Sequence, residues 1–255
     1  MAETTTIWCE RGGAEGPVLV LLHGVGANGA VWDGLLPLLA EHWPGRWIIP
    51  DFRGHGRSFH HAPYGIGVHA ADVAGLLQPD EEVSLVGHSM GGAVSVALAT
   101  GMFGIQVRRA VAFCVKVDWS EEDLARAKKV AAAPPRLFDT REEAIERCLR
   151  VAGLKELAAP SSRVANVGVA EQQGKFRLAT DPLVNTTGKP DFAAIAQAAR
   201  APIHLLSGEN DNIGHAEGMR RLGREVRVLP GLGHNPHVEA PEAFWRAIES
   251  DLRSA

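Results

Sequence analysis

The sequence has few cysteines, and their positions form no recognisable pattern. The three that it has, Cys9, Cys114 and Cys148, are odd in number, lie far apart and include no CxxC pair. Small disulfide-rich domains and zinc knuckles both need closely spaced cysteines. The sequence therefore predicts neither, and it favours a reducing compartment, so we expect a cytoplasmic protein.

Long hydrophobic runs are also absent. The longest, Val18–Leu22 and Ala110–Val115, are far shorter than the roughly 20 residues that a transmembrane helix needs. The N-terminal segment MAETTTIWCERGG contains neither the basic nor the apolar part of a signal peptide. We therefore expect no membrane association and no secretion signal.

The chain has no long block of charge of either sign. Its 26 basic and 30 acidic residues give a net charge of −4. A nucleic-acid-binding protein normally presents a basic face to the phosphates, so we expect no nucleic-acid partner. Apolar residues make up 45% of the 255 residues and charged residues 22%. This composition predicts an ordered protein with a sizeable core, and the length fits one α/β domain.

Six short apolar runs alternate along the chain with segments of helical periodicity. Each run is apolar at successive positions, which is typical of strands covered by helices on both faces. The alternation predicts an α/β fold with a doubly wound, mostly parallel sheet. The predicted strands are Val18–Leu22, Trp47–Ile49, Val83–Val86, Val107–Val115, Ile203–Leu206 and Val226–Leu229, with an additional one near Thr4–Trp8. The helices predicted between and after them are Val31–Ala40, Val68–Leu77, Ala93–Thr100 and Glu242–Leu252.

The alternation is interrupted late in the sheet. Two amphipathic helices, Glu121–Val130 and Arg141–Ala152, are predicted there, followed by a segment of mixed pattern. A helical insertion at this place predicts a small cap over the carboxyl edge of the strands, where ligands bind in such folds. The predicted division is a core of residues 1–117 and 191–255 and a cap of residues 118–190.

The strongest motif is GHSMG, in which Ser89 stands between Gly87 and Gly91. It follows one predicted strand and precedes a predicted helix, which is the context of the nucleophile elbow GxSxG. The glycines are needed because side chains beside so tight a turn would collide with the neighbouring strand and helix. A serine at a helix N-terminus also lies near free backbone N–H groups that can stabilise an oxyanion. The motif predicts Ser89 as a nucleophile, and the alternative is an ordinary turn with a serine cap.

A serine nucleophile needs a base, and the base needs an acid that orients it. His234 follows the last predicted strand, so it is expected at the same sheet edge as Ser89, with His237 as the fallback. Asp211 follows the strand before that one, and Glu209 and Asp118 are other carboxylates at strand ends. The chain order Ser89, Asp211, His234 is that of one known triad fold, which favours Asp211.

Together with these residues, three further segments resemble the α/β-hydrolase superfamily over nearly the whole chain. They are HGVG at His23–Gly26, DFRGHGRS at Asp51–Ser58 and the GLGHNPHVEAPEAF tail. The resemblance implies an oxyanion hole formed by the backbone N–H groups of Val25 and Met90. It also implies structural roles for Asp51, Arg53 and Ser58.

These residues predict a serine hydrolase that cleaves a carboxylic ester, lactone or related acyl bond through an acyl-enzyme. Carbon–carbon bond hydrolases, thioesterases and amidases use the same triad and stay open, as does a non-catalytic ligand receptor on this fold. The substrate is expected to be a small acyl compound of apolar character. Three aromatic residues in the predicted cap, Trp119, Phe138 and Phe176, are expected to line its pocket. The sequence leaves the oligomeric state undetermined.

Two competing motifs do not change this interpretation. Gly24, Gly26 and Gly29 form a GxGxxG after a strand, and Asp51 follows at the next strand end, as in dinucleotide-binding folds. That interpretation leaves the GHSMGG motif without a purpose, so we assign these glycines to the oxyanion turn. A histidine cluster, made of His55, His60, His61 and His69, lacks HExxH spacing and acidic partners. We therefore expect no cofactor and no metal ion.

Overall fold

The computed structural model, which describes residues 6–186 and 190–253, contains a seven-stranded sheet and a separate two-stranded hairpin. The strands are β1 (Cys9–Gly13), β2 (Val18–Leu22), β3 (Arg46–Pro50), β4 (Glu82–His88), β5 (Gln106–Phe113), β6 (Val169–Gln172), β7 (Lys175–Leu178), β8 (Ile203–Gly208) and β9 (Val226–Leu229). The large sheet has the order β1-β3-β2-β4-β5-β8-β9. Strand β1 is antiparallel to β3, and the other neighbours in this sheet pair in parallel. The predicted fold class is confirmed.

Helices cover both faces of the sheet. They are α1 (Leu36–His42), α2 (Ile66–Ala74), α3 (Met90–Leu98), α4 (Glu121–Ala132), α5 (Arg141–Val151), α6 (Arg163–Val167), α7 (Phe192–Gln197), α8 (Ala216–Arg220), α9 (Pro236–Glu239) and α10 (Pro241–Arg253). Two 3-10 helices, Gly29–Leu35 and Pro182–Thr186, complete the described secondary structure. None of the helices in the described ranges is long and apolar enough to span a membrane.

Strand β2 shows why the predicted strands are apolar at every position. Val18, Val20 and Leu22 pack into the core on one face of the sheet. Leu19 and Leu21 pack into the core on the other face. Because successive side chains of a strand point to opposite faces, a sheet with a core on each side leaves no position for a polar residue.

The first strand lies further along the chain than the sequence pattern predicted. We expected it near Thr4–Trp8, but the strand is Cys9–Gly13, paired with Arg46–Pro50 of β3; Thr4 and Thr5 lie outside the described residues. In this register the Trp47 ring covers Gly12, where an added Cβ would lie 2.2 Å from a ring carbon. A polar, glycine-containing edge strand is therefore fixed by close contact with its partner, which apolar patterning does not reveal.

The segment between β5 and α7 contains more than the two predicted helices. Helices α4 and α5 form close to their predicted bounds, and each begins with a capping box at Ser120 or Thr140. The mixed segment after them folds into α6 and the β6–β7 hairpin, which turns at Gln173 and Gly174 with positive φ at both residues. This turn geometry matches the right-handed twist of the two strands.

The same segment shares a hydrophobic core with the rest of the chain. Ile145, Leu149 and Val164 belong to the buried cluster that also contains Trp32 and Phe113. Because one buried cluster contains residues of both predicted parts, the packing does not mark a boundary between them. The division into a core of residues 1–117 and 191–255 and a cap of residues 118–190 stays a prediction.

Candidate active site

Ser89 stands on a sharp turn between β4 and α3, with φ 50° and ψ −113°. A non-glycine residue at positive φ is strained and is held there by its surroundings. The Ser89 N–H donates to the Phe113 carbonyl at 2.9 Å, which ties the turn to β5. An added Cβ at Gly87 would lie 2.2 Å from the Gly91 carbonyl oxygen, and one at Gly91 would lie 2.2 Å from that of Leu22. The turn therefore exists only with glycine at both positions.

His234 and Asp211 meet at the carboxyl edge of the sheet. Nδ1 of His234 lies 3.0 Å from both Oδ1 and Oδ2 of Asp211. An ionised carboxylate only accepts hydrogen bonds, so Nδ1 carries the proton and Nε2 is left free to accept one. Asp211 also accepts hydrogen bonds from the N–H groups of Ile213 and Gly214, at 2.8 and 3.0 Å.

Asp211 is 4% exposed, and its surroundings favour the charged form. Burial alone would raise the pKa of its carboxyl. The hydrogen bond and charge of His234, followed by the Ile213 N–H and the Cys114 thiol, outweigh burial and hold the pKa below its ordinary value. The carboxylate is therefore an ionised acceptor that fixes the imidazole ring of His234.

The other candidate acids lie elsewhere. Asp118 forms an ion pair with Arg221, with 2.7 Å between Oδ1 and Nη1. Glu209 accepts a hydrogen bond from the Gly231 N–H at 2.8 Å. Of the three carboxylates that the sequence left open, the structure brings Asp211 to His234.

Two buried histidines pack behind His234. The ring of His88 lies 4.8 Å from that of His234, and its Nε2 donates to the His234 carbonyl at 2.8 Å. His237, the fallback base, is fully buried between Trp32 and His88. Burial, followed by the charge of His234, lowers the pKa of His237 to about 3. Burial also holds the pKa of His88 well below its ordinary value. Both rings are neutral packing partners that limit the positions open to His234.

The HGVG turn is braced from below by the segment that begins at Asp51. Oδ1 of Asp51 accepts the Gly29 N–H at 2.6 Å, and Oδ2 accepts both the backbone N–H of Arg57 and its Nε. The Phe52 N–H donates to Nε2 of His23 at 3.0 Å. These contacts give the DFRGHGRS segment a bracing role beside the turn that contains Val25.

Arg53 and Ser58 act within the same segment. Arg53 forms a bidentate ion pair with Asp72 of α2. The Ser58 hydroxyl donates to the Asp51 carbonyl at 2.5 Å and accepts the Trp8 N–H at 2.9 Å. These contacts support the structural roles that the resemblance implied for Arg53 and Ser58, because both side chains bond to neighbouring parts of the protein.

A cavity of about 390 Å³ opens above Ser89. Ser89 and His234 both line it, together with Val25 and Met90, the predicted oxyanion donors. Volumes of this size suit a small ligand. The cavity is thus the place where the predicted nucleophile, the predicted base and the two predicted N–H donors can reach one bound molecule.

The three predicted pocket aromatics separate into two groups. Trp119 lines the cavity, as predicted. Phe138 and Phe176 do not line it, which corrects the prediction for these two residues. Their backbones pair with each other through two hydrogen bonds of 2.8 and 3.0 Å, and the Phe138 side chain is buried in the hydrophobic core. Their large apolar side chains pack into or against the hydrophobic core and stabilise the insertion itself.

Sequence reasoning missed much of the cavity wall. Val115 and Lys116 lie two and three residues after the end of β5, and Ile213 lies two residues after Asp211. Their positions just after strands could have indicated that they line the cavity. Ile66 and Phe192 come from distant helices, and no local pattern marks them as lining residues. These positions depend on how the helices pack over the sheet edge.

Cys114, Asp211 and His234 place their side-chain ligand atoms within 4.8 Å of one another. Their chemistry does not suit a metal ion. Burial, followed by the charge of Asp211, holds the pKa of the Cys114 thiol well above its ordinary value, so the thiolate that metals prefer is disfavoured. Asp211 and His234 are already bonded to each other. We therefore interpret the thiol as part of the surroundings of the acid.

Comparison with known proteins identifies the family. Residues 19–247 match the sequence profile of the Alpha/beta hydrolase family. The chain belongs to this family. The resemblance stated from its motifs is thereby confirmed.

Relatives of this alpha/beta hydrolase include an esterase. The pimeloyl-[acyl-carrier protein] methyl ester esterase of Aeromonas hydrophila is 44% identical over 249 residues, which cover 92% of this chain and 95% of that protein. The magnesium-chelatase 30 kDa subunit of Rhodobacter capsulatus is 26% identical over 91% of this chain and 70% of that protein. The crystal structure of E-2-(acetamidomethylene)succinate hydrolase has a TM-score of 0.80 and 23% identity, covering 98% of this chain and 95% of that one, and it supports the fold. The prediction that this alpha/beta hydrolase is an enzyme of the hydrolase class is confirmed.

Proposed function

We propose that the chain hydrolyses carboxylic esters of small acyl compounds through a triad of Ser89, His234 and Asp211. The observation that supports this most directly is the pair of 3.0 Å contacts from His234 Nδ1 to the Asp211 carboxylate, at the rim of a cavity that also contains Ser89. A nucleophile, a base and an orienting acid are the parts that acyl transfer requires.

The proposed reaction begins with attack of the Ser89 Oγ on the ester carbonyl carbon. Nε2 of His234 takes the hydroxyl proton, and Asp211 stabilises the imidazolium that forms. The N–H groups of Val25 and Met90 stabilise the carbonyl oxygen as it becomes negative. His234 then gives its proton to the leaving alcohol, which leaves Ser89 as an acyl ester. Water, activated by His234 in the same way, releases the acid and regenerates Ser89.

The esterase relative favours the ester among the bonds that such a triad can cleave. It is named for a methyl ester, and it is 44% identical to this chain over 92% of this chain and 95% of its own length. Lactones, thioesters, amides and certain carbon–carbon bonds pass through similar tetrahedral intermediates. These substrates are the alternatives that a substrate panel separates.

The test compares turnover with covalent labelling. We expect the purified protein to hydrolyse 4-nitrophenyl hexanoate and to react with a fluorophosphonate probe once per chain. Ser89→Ala should abolish both reactions because it removes the attacking oxygen. Ser161→Ala is the matched control, since Ser161 is an exposed serine outside the cavity. Near-UV and far-UV circular dichroism should show that both variants are folded.

The outcomes distinguish the candidate functions. Labelling that persists in Ser89→Ala would remove Ser89 as the nucleophile. Stoichiometric labelling without turnover of any ester, lactone, thioester or amide would favour a ligand receptor on the hydrolase fold. Turnover of thioesters or amides far above esters would keep the triad and change the substrate class.

A further inference from the structure

The wall of the cavity carries more positive than negative side chains. Lys116, Arg126 and Arg150 line it, and among the described lining residues Asp123 is the acidic one. Lys116 is neutralised by Asp123, with 2.9 Å between Nζ and Oδ2. Arg126 of α4 and Arg150 of α5 are therefore the cations that no acid in the cavity wall compensates.

The acidic partners of these two arginines lie outside the cavity. Arg126 pairs with Glu122 and Arg150 pairs with Glu146, each one helical turn earlier, and neither glutamate lines the cavity. The glutamate side chains are 84% and 58% exposed. Exposed ion pairs of this kind contribute little to stability. An anion inside the cavity can therefore compete for both guanidinium groups.

Exposed apolar side chains also line the cavity at its mouth. Val25, Val130, Val151 and Ile213 line it and are each more than a third exposed. The side chains of Arg126 and Arg150 are 69% and 53% exposed, so their guanidinium groups are accessible to a bound molecule. A carboxylate can accept charge-assisted hydrogen bonds from them, whereas the methyl end of a neutral acyl chain cannot. Arginine is suited to this role because its planar group can bind a carboxylate through two parallel hydrogen bonds.

We propose that the cavity selects esters that carry a carboxylate, which Arg126 and Arg150 bind while the ester group reaches Ser89. This inference rests on the proposed ester hydrolysis and adds a substrate class to it. It also assigns two binding residues on separate helices of the insertion.

The test uses esters matched in length. Mono-4-nitrophenyl adipate and 4-nitrophenyl hexanoate have acyl chains of the same number of carbons, and one ends in a carboxylate where the other ends in a methyl group. Adipate is chosen over shorter diacids because its carboxylate is poorly placed to attack its own ester. A third substrate, 3-carboxy-4-nitrophenyl hexanoate, places the carboxylate on the leaving group instead. Each rate is corrected for hydrolysis without enzyme.

We expect kcat/KM for at least one carboxylate ester to exceed that for 4-nitrophenyl hexanoate. In Arg126→Gln and Arg150→Gln this preference should fall about tenfold each, because a charge-assisted hydrogen bond is lost. Added salt should reduce the wild-type preference, since charges at the mouth are screened. The substrate that shows the effect tells whether the carboxylate belongs to the acyl or the leaving group.

Lys128→Gln is the matched control for Arg126→Gln. Lys128 is an exposed cation of the same helix that does not line the cavity, so its loss changes the net charge by the same amount. The inference is overturned if neither carboxylate ester is preferred, or if Lys128→Gln lowers the preference as much as the arginine variants do. If the wild-type protein turns over none of the three esters, the proposed function fails instead.

Discussion

The two walls of the cavity hold their residues in different ways. On the sheet side, Ser89 is fixed by backbone contacts so close that Gly87 and Gly91 admit no side chain. On the side of the insertion, Trp119 lies just before α4 and is partly exposed, and Arg126 lies in α4 and is exposed to solvent. The close backbone contacts around Ser89 allow almost no displacement of the turn, whereas the exposed side chains of the insertion can be substituted without disturbing the backbone. We infer that the sheet side determines whether the reaction occurs and that the insertion determines which substrate is preferred.

The largest effect is expected for Asp211 on the sheet side. Asp211→Asn should lower kcat by about 10⁴, as loss of the triad acid does in serine proteases, because the amide no longer fixes the ring or stabilises the imidazolium. KM should change little. Steady-state kinetics with 4-nitrophenyl hexanoate measure both constants.

Asp118→Asn is the matched control for this change. Asp118 pairs with the largely exposed Arg221, so its loss should leave kcat within a fewfold of wild type. Comparable losses in both variants would contradict the assignment of the acid to Asp211.

A second comparison separates packing from selectivity within the insertion. Phe138→Ala should lower the free energy of unfolding by about 3 kcal/mol, since it removes a buried ring from the core. Trp119→Ala should destabilise the protein less and should change the ratio of kcat/KM between short and long acyl esters about tenfold. Urea unfolding and ester kinetics on both variants measure these effects. If Phe138→Ala changed the ratio more than Trp119→Ala, the assignment of the two aromatics would be reversed.

A smaller effect is expected from His69, a buried histidine of α2. Burial, followed by the charges of His23 and Arg53, lowers the pKa of His69 to about 3. Below pH 6.5 the unfolded chain therefore binds a proton that the folded chain does not bind until about pH 3. The free energy of unfolding should fall with falling pH in this range, by about 1.4 kcal/mol per pH unit from His69 alone.

The variant His69→Phe tests this dependence. Between pH 7.5 and 5, its free energy of unfolding should fall by about 2 kcal/mol less than that of the wild type, whatever its absolute stability. The exposed His61 provides the control variant His61→Phe, which should keep the wild-type dependence. If urea unfolding showed the same change in the free energy of unfolding between pH 7.5 and 5 for His69→Phe and the wild type, His69 would not contribute to the pH dependence.

The sheet side could be predicted from the sequence because its signals are local. A strand that is apolar at every position, a glycine on each side of Ser89, and a histidine after the last strand each follow from chemistry within a few residues. The rule that parallel strands end at one edge predicts that His234 lies near the candidate acids, and the chain order Ser89, Asp211, His234 favours Asp211 among them. The choice between Asp211 and Asp118 was harder, because both follow strands and only the structure shows that Asp118 meets Arg221.

The insertion was less predictable because its signals are not local. Phe138 and Trp119 are both aromatic residues of the same segment, yet one is in the core and the other lines the cavity. The β6–β7 hairpin was hidden because each strand has only four residues, so the alternation of polar and apolar residues in Lys175–Leu178 is too short to indicate a strand. Its turn at Gln173 and Gly174 gave a weak signal, since Gln is not among the residues that usually mark such turns.

The insertion begins after β5 at the carboxyl edge of the sheet, and the chain returns through α7 before it enters β8, which runs parallel to β5. Val115, just before the insertion, and Phe192, just after it, both line the cavity, so both ends of the insertion lie at that cavity. The entropy of closing a loop grows only with the logarithm of its length, by about 0.6 kcal/mol for each doubling. Lengthening or shortening this segment at an exposed turn such as Gln173–Gly174 should thus be thermodynamically easy, provided that Trp32 and Phe113 stay covered. The architecture allows substrate preference to diverge by insertion and deletion while the catalytic edge of the sheet is kept unchanged.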